Sequence, residues 1–120
     1  MAAPNLKNPT TITGITTVVN LNTTSITEVL ANASGSNKVL KINTILAANV
    51  DGTSAADVSV SVLRGGVDYY IAKTVSVPAD ATQILCSKDI YFYLEENTSI
   101  RAQASAADDI HITIGYEEIS

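Results

Sequence analysis

From about residue 25 onward the chain alternates apolar and polar positions in short runs. In "VLKINTILAANV", Leu40, Ile42, Thr44, Leu46, Ala48 and Val50 interleave with Lys41, Asn43 and Asn49. In "DVSVSVL", Val58, Val60 and Val62 interleave with Ser59, Ser61 and Leu63. Ile100, Ala102 and Ala104 alternate with Arg101 and Gln103. Ile110, Ile112, Ile114 and Tyr116 alternate with His111, Thr113 and Gly115. Successive side chains on a strand point to opposite faces, so a period of two predicts one buried face and one wet face. Ile42, Leu46, Val58, Val60, Val62, Ile100, Ile112 and Ile114 are therefore expected to point inward together.

Turn chemistry punctuates these runs. "NASGSN", "DGTSAAD", "PAD", "EENT" and "SAADD" are clusters of turn-forming residues. Gly65-Gly66 can supply the positive φ angles of a tight hairpin, which returns "VDYYIAKTVSV" beside "DVSVSVL". Ser25 to Ala31, "TQILCS" and "IYFYL" are further short strands. No segment carries a helical period, and Thr, Val and Ile, which favour strands, abound. About seven or eight short strands with frequent turn signals predict an all-β fold, a single antiparallel β-sandwich of jelly-roll-like form over residues 25–120.

Residues 1–24 read differently. Pro4 and Pro9 break any helix and favour extended backbone. The isoleucines and valines are irregularly spaced, which predicts an extended N-terminal arm with one short strand around Ile15 to Val19. Ile12, Ile15, Val18, Val19 and Leu21 would gain from burial, so the arm is expected to dock on a neighbour and to order on assembly.

Charge narrows the partners. Only 16% of the 120 residues are charged and the net charge is −5, against roughly 25% charged residues in an average domain. An acidic chain argues against nucleic-acid binding, which needs a basic footprint. Residues 1–50 carry a net +2 and residues 51–120 a net −7, an asymmetry suited to packing one copy's N-terminal part on another's body. No apolar run reaches the roughly 18 residues of a membrane span. The start, "MAAPNLKNPT", lacks the basic and apolar segments of a secretion signal, so the three sequons at Asn22, Asn32 and Asn97 are expected to stay unused.

Candidate chemistry is sparse. His111 is the single histidine and Cys86 the single cysteine. His111 falls on the wet face of its strand, and no nucleophile elbow accompanies it. One Cys and one His do not make a zinc site without further ligands. Asp108-Asp109, or Asp51 with Asp57, offer oxygen ligands for calcium but lack the spacing of a calcium loop. No catalytic residue and no cofactor is expected. Tyr91 and Tyr93 share one face of their strand, where an aromatic stripe marks a protein interface or a sugar platform. With no tryptophan in the chain, the interface is favoured.

The stretches "NVDGTSAADVSVSV", "VSVPADAT", "IYFYLEENTSIRAQASAADDI" and the terminal "YEEI", with "MAAPNLKNPTTITG" at the start, resemble small structural proteins of tailed bacteriophages, especially those of marine bacteria. The resemblance covers nearly the whole chain, in loop and strand patterns rather than an active-site signature. It implies a virion component present in many copies and made in the host cytoplasm. The first expectation is a capsid decoration or cement protein on the major capsid protein, as a homo-oligomer with a trimer favoured. The alternatives are a neck, collar or tail component and a host-glycan-binding module.

Overall fold

The computed structural model describes residues 4–120, folded as nine strands: β1 (Ile12–Asn20), β2 (Thr27–Asn32), β3 (Val39–Asn49), β4 (Ala56–Arg64), β5 (Val67–Val77), β6 (Thr82–Cys86), β7 (Phe92–Leu94), β8 (Thr98–Ala104) and β9 (Ile110–Ile119). A single 3-10 turn, Lys88–Ile90, separates β6 from β7. Two antiparallel sheets pack face to face. The first runs β1-β9-β3-β6, with β7 also on β3, and the second runs β2-β8-β4-β5. β6 pairs with Ile45 to Ala48 and β7 with Leu40 to Ile42, so the two act as one edge strand interrupted by the turn. Counted that way, eight strands divide into two four-membered layers in the order of a jelly roll, with the β4-β5 hairpin inside the second.

The alternation read in the sequence builds the core. Val58 and Val60 from β4, Ile100 and Ala102 from β8, and Ile110, Ile112 and Ile114 from β9 are at most 1% exposed. Val62 packs against this cluster from its margin. Gly65 and Gly66 join Arg64 to Val67 with φ of +60° and +78°, the two positive angles of a two-residue hairpin turn.

β3 departs from the expected register. Ile42 lies opposite Tyr116 and Thr44 opposite Gly115, so Asn43 is an extra residue in a bulge. Beyond it the faces swap. Ile45, Ala47 and Asn49 are buried, while Leu46 lies on the outer face and Val50 is 48% exposed. The expectation that Leu46 points inward is thereby corrected, because one inserted residue reverses every side chain after it.

Of the N-terminal arm expected over residues 1–24, residues 1–3 lie outside the described residues. Residues 12–20 form a strand of nine residues, paired without irregularity to β9 of the same chain, from Ile12 opposite Ile119 to Asn20 opposite His111. Thr10 and Thr11 donate backbone hydrogen bonds to Ser120 O. Leu21 N donates to Ile110 O, and the Leu21 side chain sits in the core at 1% exposure. The groove expected on a neighbour is, for residues 10–21, supplied by the chain itself.

Candidate functional site

Directly paired residues on neighbouring strands share a face, so the registers assign each side chain to the interior or to an outer surface. On the outer surface of the β1-β9-β3-β6 sheet, Val18 lies opposite Thr113, Thr113 opposite Leu46, and Leu46 opposite Ile84. This line of apolar and threonine side chains crosses the full width of the sheet. Its ends are open, with Val18 72% and Ile84 62% exposed. Thr16, Gly115 and Thr44 form the next line, small and uncharged. Further along, Tyr93 lies opposite Lys41. The Tyr91 and Tyr93 rings meet edge to face, with centroids 5.8 Å apart and planes at 85°. Lys41 Nζ lies 4.3 Å from the Tyr91 ring centroid. The lysine thus occupies a ring face on which a sugar would stack, which weakens the platform reading of this pair.

The opposite outer surface, on β2-β8-β4-β5, is built from charge. Arg101 Nε donates to Asp68 Oδ1 at 2.9 Å, and its Nη2 donates to Asp68 Oδ2. Ser61 Oγ donates to Asp68 Oδ1 at 2.8 Å. Glu28 pairs opposite Arg101, and Tyr70 opposite Ser61 with Lys73 Nζ 4.0 Å above its ring. The hydrogen bond from Arg101 holds the Asp68 carboxyl below its ordinary value of 3.8; desolvation opposes this and Ser61 reinforces it. Ser61 has no exposed surface although it faces outward, because these side chains cover it.

Three buried polar side chains pin the loops at the ends of the sandwich. Asn32 Nδ2 donates to Lys38 O and Leu94 O, and its Oδ1 accepts from Ser36 Oγ. Asn49 Nδ2 donates to Ser54 O and Val77 O, while its Oδ1 accepts from Asp51 N. The Glu96 carboxylate accepts from Gly35 N and Asn37 N, closing the turn after β2. All three buried side chains find their partners among the backbone and side-chain groups of the loops and strand ends around them. Burial closes the Asn32 sequon to modification.

The expected interface residues divide by strand parity. Ile12, Val18, Tyr91 and Tyr93 are exposed on the outer surface of the first sheet. Ile15 and Val19 face inward and are half-buried, and Leu21 belongs to the core. The structure adds Leu46 and Ile84 to the line and places Ile90 beside the tyrosines, 65% exposed. Ile84 and Leu85 are adjacent and both apolar, so the sequence carries no sign of which faces out. His111 is exposed on this surface too, opposite Asn20 and Ala48. Cys86 lies in the core, and burial raises its thiol pKa. The Asp51 carboxylate accepts from Thr53 N and Thr53 Oγ within its own loop. Among the described residues, no cluster of three or more His, Cys, Asp or Glu side chains is arranged to hold a metal ion, and no helix is long and apolar enough to cross a membrane. No protein-family model matches the chain, and no curated protein matches it in a sequence comparison.

Proposed function

We propose that this chain is a structural protein of a tailed-bacteriophage virion, and within it a decoration or cement protein that binds the major capsid protein and stabilises the shell. The observation that carries the reading is the outer surface of the β1-β9-β3-β6 sheet. A line from Val18 through Thr113 and Leu46 to Ile84 crosses it without a charged side chain, and Tyr91 and Tyr93 lie beyond a row in which Glu117 and Lys41 stand opposite each other. Exposed aromatic and aliphatic groups are what a protein partner desolvates at low cost. The resemblance of the sequence to phage structural proteins supplies the class of partner, and the net charge of −5 favours protein over nucleic acid.

Stoichiometry on purified particles tests the role. A cement protein is present in a simple ratio to the major capsid protein, and particles lacking it rupture at lower temperature. A copy number far below that of the capsid subunits, with unchanged particle stability, assigns the chain to the neck or tail instead.

A further inference from the structure

The sandwich has four edge strands, and three of them are blunted. β2 is short, bulged at Val29 and bears Glu28. β5 carries Asp68 and Lys73, two register shifts, and Thr74 at φ +53°. The β6-β7 edge is broken by the Lys88–Ile90 turn. β1 has none of these features: nine residues, ITGITTVVN, with no charge, no proline and no bulge. Bulges, charges and interruptions are how sheet edges avoid pairing with other chains, so an edge without them is open to a partner.

The hydrogen-bond phase of this edge is set by its two ends. Thr11 and Ser120 exchange both backbone bonds, and Leu21 N bonds Ile110 O. Odd-numbered residues therefore face β9, and Ile12, Gly14, Thr16, Val18 and Asn20 aim their N–H and C=O groups outward.

We propose that the free edge of β1 pairs antiparallel with β1 of a second copy, about a two-fold axis at Ile15. In this register Ile12 lies opposite Val18 of the second copy and Gly14 opposite its Thr16. The two exposed aliphatic side chains of the edge, 58% and 72% exposed, then cover each other. The pairs Ile12–Val18 and Gly14–Thr16, each occurring twice, supply about eight backbone hydrogen bonds. A second copy is the occupant the edge favours, because an uncharged strand meets itself without like-charge repulsion and the apolar positions complement each other under the two-fold. The two first sheets become one continuous sheet, and their outer surfaces lie side by side. Antiparallel edges close as a pair, so the device builds a dimer and not the trimer expected from the sequence.

The test combines sedimentation with residue-resolved amide exchange on the full chain. The expected result is a dimer in which the amides of Ile12, Gly14, Thr16 and Val18 exchange as slowly as those of Thr13, Ile15, Thr17 and Val19. Thr16→Pro removes an outward N–H and leaves the bonds to β9 intact, and should give a folded monomer with those amides fast. Val18→Lys, on an exposed side chain, should weaken the dimer at least tenfold without changing the circular dichroism. A monomer at every concentration overturns the proposal, as does a dimer whose outward amides exchange fast. Protection that arises only when capsid shells are added also overturns it, since the edge then belongs to another protein's strand.

Discussion

The two outer surfaces of the sandwich arise from the same alternating strands and yet carry opposite chemistry. On the second sheet, Arg101 and Ser61 bond Asp68, and Glu28 stands opposite Arg101, so the charges of this surface compensate one another. On the first, Val18, Leu46, Ile84, Tyr91 and Tyr93 have no such internal partners beyond the ring contact and Lys41. The difference teaches that the interiors make the fold, while the exteriors differ in how far their groups satisfy one another. A surface closed on itself suits solvent, and an apolar surface left open suits another protein.

The largest expected effects separate interior from exterior. Ile45→Ala should cost about 2–5 kcal/mol in urea denaturation, as a buried large-to-small change. Leu46→Ala, one residue on and facing out, should cost about 1 kcal/mol or less. Equal losses would mean that the bulge at Asn43 is absent in solution.

Next in size is the hairpin that hangs β5 on the charged sheet. Gly65→Val and Gly66→Val should each cost about 1–2 kcal/mol by forcing a β-branched residue to positive φ. An added Cβ meets no atom within 4 Å at either position, so the loss is one of backbone conformation alone. An unchanged melting temperature would exclude the turn.

Smaller still is the ionic network. Asp68 is held at a lower pKa in the folded chain than its ordinary 3.8. Its contribution to stability is complete above the unfolded value and disappears as pH falls through the folded one. Asp68→Asn should therefore be less stable than the parent at neutral pH, with the gap closing in acid. A gap that does not narrow as pH falls below 3.8 would mean that the charge on Asp68 is not what stabilises the charged surface.

The smallest effect on folding is expected on the open surface. Ile84→Ser and Tyr93→Ser should move stability by about 0.5 kcal/mol or less, while lowering attachment to capsids. A large loss of folding stability would mean that these residues support the sandwich itself.

What was legible in the sequence follows the range of the interactions. β4, β8 and β9 were legible because their alternation is local, and Gly65-Gly66 because the turn chemistry is local. The tyrosine pair was legible for the same reason: Tyr91 and Tyr93 are two residues apart. The bulge in β3 was not, since Leu46 and Ala47 are both apolar and either phase looks regular. β1 read as an arm because its order comes from β9, some ninety residues away in the chain, and not from its own pattern. Asn32 and Glu96 read as ordinary turn residues, and Asn49 as a wet-face position of its strand. Their burial depends on carbonyls and amides contributed by other loops.

Tyrosines stand on both outer surfaces, with Tyr91 and Tyr93 on the open one and Tyr70 on the charged one, all partly exposed. Hydroxyl-radical footprinting of the protein free and bound to capsids reads the two surfaces in a single experiment. The account predicts that Tyr91 and Tyr93 lose reactivity on binding while Tyr70 keeps it. Protection of Tyr70 with Tyr91 and Tyr93 still reactive would contradict it.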